Sequence, residues 1–482
     1  MLFNSYIFIL LFLPLCIAGY FLLNRIKPVV ANVYLLGMSL WFYGYLNPSY
    51  IAIIVSSVII NYLFYLGIKK SDKKAGRKAM LIFSVVINLG ILAWFKYMDF
   101  FIENINAVFK SDYALLKIAL PLGISFFTFQ QLSFVIDTYR GEVADYGFID
   151  YACYVTFFPQ LVAGPIVSHD EFIPQFQKEE NRKVNFDNLT KGIYLFVLGL
   201  SKKVLIADVF GAAVDTGYGT VKTLSSTAAI FIILGYTIQL YFDFSGYCDM
   251  ALGIGKMFNI KLPNNFNSPY KSANISEFWD RWHMTLTRFF TKYVYIPLGG
   301  NRKGKVRTYV NIMTVFFLSG LWHGADWTFV FWGVCHGLLL VLYRIFKKQL
   351  DKIPRIIGTF FTFITVNILW VFFRAPGFNT AFRVFRRVFN GGFEMLPDTM
   401  TEAFNLPEIN FIFMGKAGMY LPHILTLVML LFSLGIIFFA KNNHETADDK
   451  PISIHKALPT GVLLAWCVLS LDSVSSFLYF NF

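Results

Sequence analysis

The chain alternates long apolar runs with short clusters of lysine and arginine. Two runs, Thr308 to Gly320 and Thr328 to Tyr343, contain no Lys, Arg, Asp or Glu. Uncharged apolar runs of this kind suit helices that cross a bilayer. Crossings are expected at about 3–23, 29–45, 49–68, 79–97, 115–138, 190–212, 224–247, 308–322, 327–345, 355–373, 417–440 and 457–480. The first run opens Met1-Leu2-Phe3 without a basic n-region and reaches Leu23 without a small-residue cleavage site, so it reads as a membrane helix and not a cleaved signal. The pattern describes an all-α polytopic membrane protein of about 11–12 transmembrane helices, in one domain over 1–482.

Some apolar segments do not suit simple spanning helices. Pro121 to Gln131 carries Ser125, Thr128, Gln130 and Gln131. Thr156 to Pro165 is broken by Pro159 and Pro165. Broken apolar backbone is tolerated at membrane depth only where protein or a cavity shields it. The pattern leaves open a re-entrant element lining a central chamber or a loop at the interface. A second stretch, 374–416, places Arg383, Arg386 and Arg387 among Phe382, Val384 and Phe385, as an interfacial helix does.

Composition narrows the picture. The chain is 56% hydrophobic and 19% aromatic, far more apolar than a soluble domain requires. Its net charge of +13 sits in the connections between apolar runs, so membrane topology explains it and nucleic-acid binding is not called for. The basic clusters at 25–27, 69–78, 302–307 and 344–355 orient those loops to the cytoplasm. The uncharged turn Tyr45 to Ser49 then falls outside, as do both termini, while the mixed-charge loop 441–456 falls inside. The cysteines at 16, 153, 248, 335 and 467 have no CxxC or metal spacing and read as small core residues.

The chemistry concentrates in Leu321-Trp322-His323-Gly324-Ala325-Asp326-Trp327. About 15 residues separate Arg307 from His323, roughly 22 Å of helix, which leaves the imidazole within a hydrocarbon layer roughly 30 Å thick. An intramembrane histidine suggests function, and neutral imidazole can take a proton from a hydroxyl. The alternative is a histidine hydrogen-bonded across helices. His336, thirteen residues on, is a secondary candidate with Trp322 and Asp280. Read as one helix capped by Ser276, the segment 276–292 aligns Arg281, Thr285, Arg288 and Lys292 on one face, with Glu277, Asp280 and His283 near another. Such a helix suits the cytoplasmic interface. Its cations, with Arg302, suit either the phosphates of a nucleotide donor or acidic headgroups. His283 fits catalysis, positioning or a structural bond equally well. Asp243 and Asp249 need partners, for which Arg281, Arg288 and Lys292 are candidates. His169, His423, His444 and His455 receive no role, and no metal, Walker or Rossmann signature is present.

Between about 120 and 340 the sequence resembles the membrane-bound O-acyltransferase family, most of all its bacterial polysaccharide branch of the alginate O-acetyltransferase type. The matching stretches are Pro121–Arg140, Phe157–Pro165, Tyr241–Tyr270 with Asn264-Asn265-Phe266-Asn267-Ser268-Pro269-Tyr270, Phe278–His283, Tyr295–Arg302 and Leu321–Gly337. The resemblance implies helices around funnels that meet at the membrane midplane. It matches His323 to the family's invariant histidine and His283 to a second polar position. It also implies acetyl-CoA as a cytoplasmic donor substrate with no bound cofactor, and delivery of acetyl outward to a cell-envelope or exported polysaccharide. A separate extracytoplasmic protein of the SGNH/esterase type is the expected partner, in the lipid environment of the cytoplasmic (inner) membrane. D-alanyl transfer to teichoic acid from a carrier protein is the rival within the family. A transporter or flippase for a lipid-linked saccharide, or a scaffold, is the rival outside it.

Overall fold

A computed structural model describes residues 1–405, 420–448, 452–471 and 475–478. The described residues form helices and connecting segments, with one isolated antiparallel bridge, Phe266 to Trp282. A π-helical turn, Ile7–Phe12, leads into α1 (Leu13–Asn24), followed by α2 (Pro28–Gly44), α3 (Ser49–Lys70), α4 (Lys74–Lys96) and α5 (Met98–Phe109). Next come α6 (Ile124–Arg140), α7 (Phe148–Thr156), α8 (Phe158–Leu161) and α9 (His169–Gln177). Helix α10 (Phe186–Ser201) passes through a π-helical turn, Lys202–Ala207, into α11 (Asp208–Gly219) and then α12 (Ser226–Met257). The short α13 (Ile275–Arg281) and α14 (Met284–Phe290) precede the hairpin of α15 (Lys305–His323) and α16 (Trp327–Ile345). The remainder comprises α17 (Lys347–Leu350), α18 (Arg355–Arg374), α19 (Phe378–Asn390), α20 (Asp398–Thr401), α21 (Leu421–Phe439), α22 (Asn443–Asp448) and α23 (Ile454–Leu469).

Among the described residues, seven helical segments are long and apolar enough to cross a membrane: Ile7–Asn24, α3, α4, α12, α16, α18 and α21. The other expected crossings are shorter or more polar, as in the 17-residue α2 and α6. The basic ends of α3, α4, α15 and α18 carry Lys69–Lys70, Lys74, Lys305 and Arg355. Arg77 near the start of α4 donates to the Tyr139 carbonyl at the end of α6, so that end of α6 belongs to the same basic face.

Two aromatic-rich cores fill the interior. One gathers residues of α1–α4 and α6–α9 with Phe289 and Trp322; the other gathers α11, much of α12, α13, α16, α18 and α19 with Phe316 and Trp332. Polar side chains tie the first core's helices together, as buried polar groups at membrane depth require. Asn61 and Asn88 exchange hydrogen bonds between α3 and α4, Gln131 donates to Ser57, and Tyr151 donates to Gln131. The α15–α16 hairpin closes on glycine: a Cβ on Gly333 would lie 2.3 Å from the Phe316 carbonyl oxygen.

The structure changes several expectations. The expected crossing 115–138 is helical only from Ile124, because Pro121 and Gly123, with φ +69°, turn the chain first. A Cβ at Gly123 would sit 2.6 Å from the Leu161 carbonyl oxygen, so this turn presses against the α8 segment. Residues 151–167 are all buried, so the twice-broken segment is shielded by protein and is not a surface loop. Helix α12 continues through Asp243 and Asp249 to Met257. Their partners are not Arg281, Arg288 or Lys292. Lys203 Nζ lies 2.7 Å from Asp243 and 2.7 Å from Asp208, and Lys202 Nζ lies 2.7 Å from Asp249. The π-helical turn is the reason: an extra residue in the turn swings two consecutive lysines toward α12. Helix α19 is amphipathic as expected, with Arg383 and Arg386 exposed and Val384 buried. The end of the 374–416 stretch, the start of the 417–440 crossing, part of the 441–456 loop and the end of the 457–480 crossing lie outside the described residues.

Candidate functional site

The segment 276–292 is not one helix. Asn274 caps α13 by accepting from the Glu277 amide at 2.9 Å, in place of Ser276. Helix α13 ends at Arg281, Trp282 is extended, and His283 adopts φ 47° and ψ 50°. A left-handed histidine is uncommon and persists only where its surroundings over-determine it. Here the Asn264–Tyr270 run supplies them. Asn267 N–H donates to the Arg281 carbonyl, Met284 N–H donates to the Asn265 carbonyl, and Thr285 Oγ1 donates to Asn265 Oδ1 at 2.7 Å. Trp282, 2% exposed, stacks on Phe278 with ring centroids 5.6 Å apart. The same bracket turns His283 inward.

His323 arrives from the opposite direction, as the last residue of α15. The rings of His283 and His323 lie 6.5 Å apart between centroids, and the two residues are 1% and 3% exposed. Trp322 packs edge-on against both, at 6.0 Å and 4.9 Å. Phe244 lies 4.8 Å from His283, and Trp332 and Phe373 lie 5.1 and 5.2 Å from His323. The pair therefore sits on the seam between the two cores. A small cavity of about 30 Å³ reaches His323, lined also by Lys96, Pro121, Gly123, Phe126 and Trp322. It has room for a water molecule or a single reacting group.

A cavity of about 160 Å³ lies at the basic face, lined by Ser168, Glu171, Thr285, Arg288, Phe289 and Lys292 among others. Arg288 is held there by Glu171 (2.7 Å from Nη2) and the Ile166 carbonyl, and Lys292 by Asp137 and Glu142, each at 2.9 Å. Asp137 is fully buried, accepts from the Tyr293 hydroxyl at 2.7 Å and lies 3.6 Å from His169. Phe289 on this cavity's wall stacks on Phe129 at 4.2 Å, and Phe129 stacks on Trp322 at 5.5 Å. A run of three rings, Phe289, Phe129 and Trp322, thus links this cavity's wall to the histidines. Another cavity, of about 340 Å³, lies on the far side of His323, lined by Lys96, Asp99, Leu120, Gly324, Asp326 and Phe329 among others.

The remaining candidates are dispersed. Arg281 pairs with Glu277 at 2.9 Å, and Glu277 also binds Arg355. Arg302 is exposed in the turn before α15. Asp280 and Arg344 line a separate cavity of about 230 Å³. Burial and the neighbouring Glu277 hold the Asp280 carboxyl above its ordinary range, with Arg281 and Arg344 offsetting part of the rise. His336 is fully buried, and its Nδ1 accepts from Trp279 Nε1 at 3.3 Å. That bond places the ring proton on Nε2, which suits a packing histidine better than a second base. Sequence reasoning gave no role to Asp137, His169 or Lys96 and named Asn265 only within the Asn264–Tyr270 run. Lys96 carried a signal, as a cation inside the expected crossing 79–97; the others acquire meaning only from tertiary partners.

The sequence model of the family described as MBOAT, membrane-bound O-acyltransferase family, matches residues 124–379. A peptidoglycan O-acetyltransferase of Helicobacter pylori is 39% identical over 100% of this chain and 98% of its own length. A probable alginate O-acetylase of Pseudomonas putida is 34% identical over 100% of both chains. A teichoic acid D-alanyltransferase of Streptococcus thermophilus is 28% identical over 52% of this chain and 68% of its own.

Proposed function

Because the chain belongs to the membrane-bound O-acyltransferase family and is a multi-pass membrane acyltransferase, we propose that it moves acetyl groups from acetyl-CoA, across the membrane, toward a cell-envelope polysaccharide. The observation that carries this reading is the convergence of His283 and His323, from separate elements, in a buried chamber with one cavity toward the basic face and another beyond it. The positive-inside rule makes the basic face cytoplasmic, in the inner membrane, and puts both termini outside. Donor phosphates engage Arg288 and Lys292 there; Arg281 and Arg302 contribute at most to long-range attraction. The thioester arm reaches the histidines by displacing the Phe129–Phe289 stack.

His323 takes the proton of an acceptor hydroxyl as its oxygen attacks the thioester carbonyl. The tetrahedral adduct collapses, the C–S bond breaks, and the thiolate leaves with that proton. In the covalent variant His323 itself attacks, the C–S bond breaks and the thiolate leaves with the imidazole proton; the hydroxyl then cleaves the acyl-imidazole and its proton returns to the ring. His283 orients the carbonyl or stabilises its developing negative charge. Exclusion of bulk water by the surrounding rings limits hydrolysis. The outer acceptor is a side chain of a separate SGNH/esterase-like protein, which sets the acetyl on the glycan. Membership in an acyltransferase family displaces the transporter and scaffold readings. Full-length similarity to O-acetyltransferases, against partial similarity to the D-alanyltransferase, favours acetyl as the cargo.

The test is transfer of label from acetyl-CoA by purified protein in nanodiscs, supplied with candidate extracytoplasmic partners. Wild type releases coenzyme A and labels an acceptor, and His323→Ala does neither at equal folded protein. Wild type inert to acetyl-CoA but active with a D-alanyl carrier-protein thioester refutes the acetyl reading.

A further inference from the structure

Helix α15 ends at His323, and its final carbonyls need partners from elsewhere, because no further helical turn supplies them. Gly324 N–H reaches the Gly320 carbonyl at 3.4 Å. The next three carbonyls are served by two consecutive residues at the end of α4. Tyr97 hydroxyl donates to Leu321 O at 2.9 Å, and Lys96 Nζ donates to Trp322 O at 2.5 Å and to His323 O at 3.4 Å. The same ammonium lies 5.7 Å from the centre of the Trp322 ring, a cation–π contact. A lysine at the far end of an apolar helix ordinarily extends its stem to the headgroups. Lys96 instead turns its charge onto the negative end of the α15 dipole. Its hydrogen bonds go to this helix end. Lys96 also lines both the small cavity at His323 and the larger one beyond, and so stands where the two meet.

We infer that Lys96 is a positioning residue for acyl transfer: its ammonium closes the last turn of α15, fixes the place of the His323 imidazole and borders the route from the outer cavity to it. This rests on His323 being the reacting histidine. A lysine serving only to stabilise the fold would also cap the helix, so the test separates the two roles.

Lys96→Met keeps most of the apolar stem and removes the donor, while Lys96→Arg keeps a cation that can reach carbonyls. Both are compared with wild type in nanodiscs at matched folded protein. Removing the clamp is expected to lower kcat about 100-fold, the scale of a 1 Å misplacement, with donor KM changed by less than about twofold. It is also expected to speed modification of His323 by diethyl pyrocarbonate roughly fivefold, read by peptide mass spectrometry, as the helix end loosens. Lys96→Arg recovers most of both. A Lys96→Met protein with wild-type kcat and wild-type labelling overturns the inference. Equal losses in both variants with labelling unchanged also overturn it and leave a folding role. The labelling needs no donor. If wild type proves inert to acetyl-CoA, the donor assignment falls and Lys96 is judged on His323 labelling alone.

Discussion

Two buried clusters of ionisable residues lie close to α12, and their surroundings differ. In the first, Lys203 and Asp243 are each 2% exposed, and their bonding capacity is answered within the fold. Asp243 and Asp208 flank the lysine, and Asp243 Oδ2 accepts from Leu478 N–H at 3.0 Å. Beside them, Asp249 takes Lys202 and Asn443. In the second, His283 and His323 are as deeply buried, but aromatic rings surround them and a cavity reaches His323. Burial of a titratable group at membrane depth therefore does not by itself mark chemistry. The second cluster combines a cavity that reaches His323 with geometry held by the backbone, through a left-handed residue at one histidine and a helix end at the other.

The largest effect is expected at His323. Replacement by alanine is expected to remove transfer by about 10³-fold or more, the upper range for a general base, while the thermal midpoint stays near wild type. Asp243→Ala should show the reverse. It leaves a buried lysine with half its compensation, at a cost of about 3–5 kcal/mol, seen as loss of monodisperse protein by size-exclusion chromatography. A paired Lys203→Met, Asp243→Leu replacement should recover much of that stability, since a buried ion pair is often replaceable as a unit. His283→Ala is expected to lower kcat about 10² to 10³-fold, as for loss of one oxyanion contact, without shifting donor KM. His336→Phe should leave kcat within about fivefold and cost about 1 kcal/mol in thermal stability through the lost Trp279 bond.

The smallest effect lies at the basic face. Burial alone would raise the Glu277 carboxyl, but the Ala273 amide and Arg355, with Arg281, hold it below its ordinary value of 4.5. A depressed folded-state value adds stability above the unfolded value and loses it as pH falls through the folded one. The stability gap between wild type and Glu277→Gln should therefore narrow below pH 4.5 in pH-dependent melts.

The comparison also shows what the sequence could reveal. Uncharged runs locate α3, α4, α16 and α18 within a few residues, because bilayer thickness sets their length. The sequence also singles out His323 and His283, since any histidine in such surroundings is conspicuous. It marks Asp243 and Asp249 equally, and nothing in their spacing identifies Lys202 and Lys203 as partners, because that pairing depends on a π-helical turn. The break at Trp282–His283 is hidden for a similar reason. Periodicity continues through 276–292, and only pairing with residues 265–267 diverts the backbone there. Lys96 shows in the sequence as a cation inside the expected crossing 79–97, but its target appears only where α15 finishes against it.

On the proposed function, His283 and His323 act as one unit on the same acyl group. A double-mutant cycle in kcat at saturating donor, across wild type, His323→Ala, His283→Ala and the double variant, tests it most directly. The double variant is expected within about threefold of His323→Ala alone, as for groups serving a single step. Losses that multiply, with each substitution exacting its full factor in the presence of the other, would contradict it.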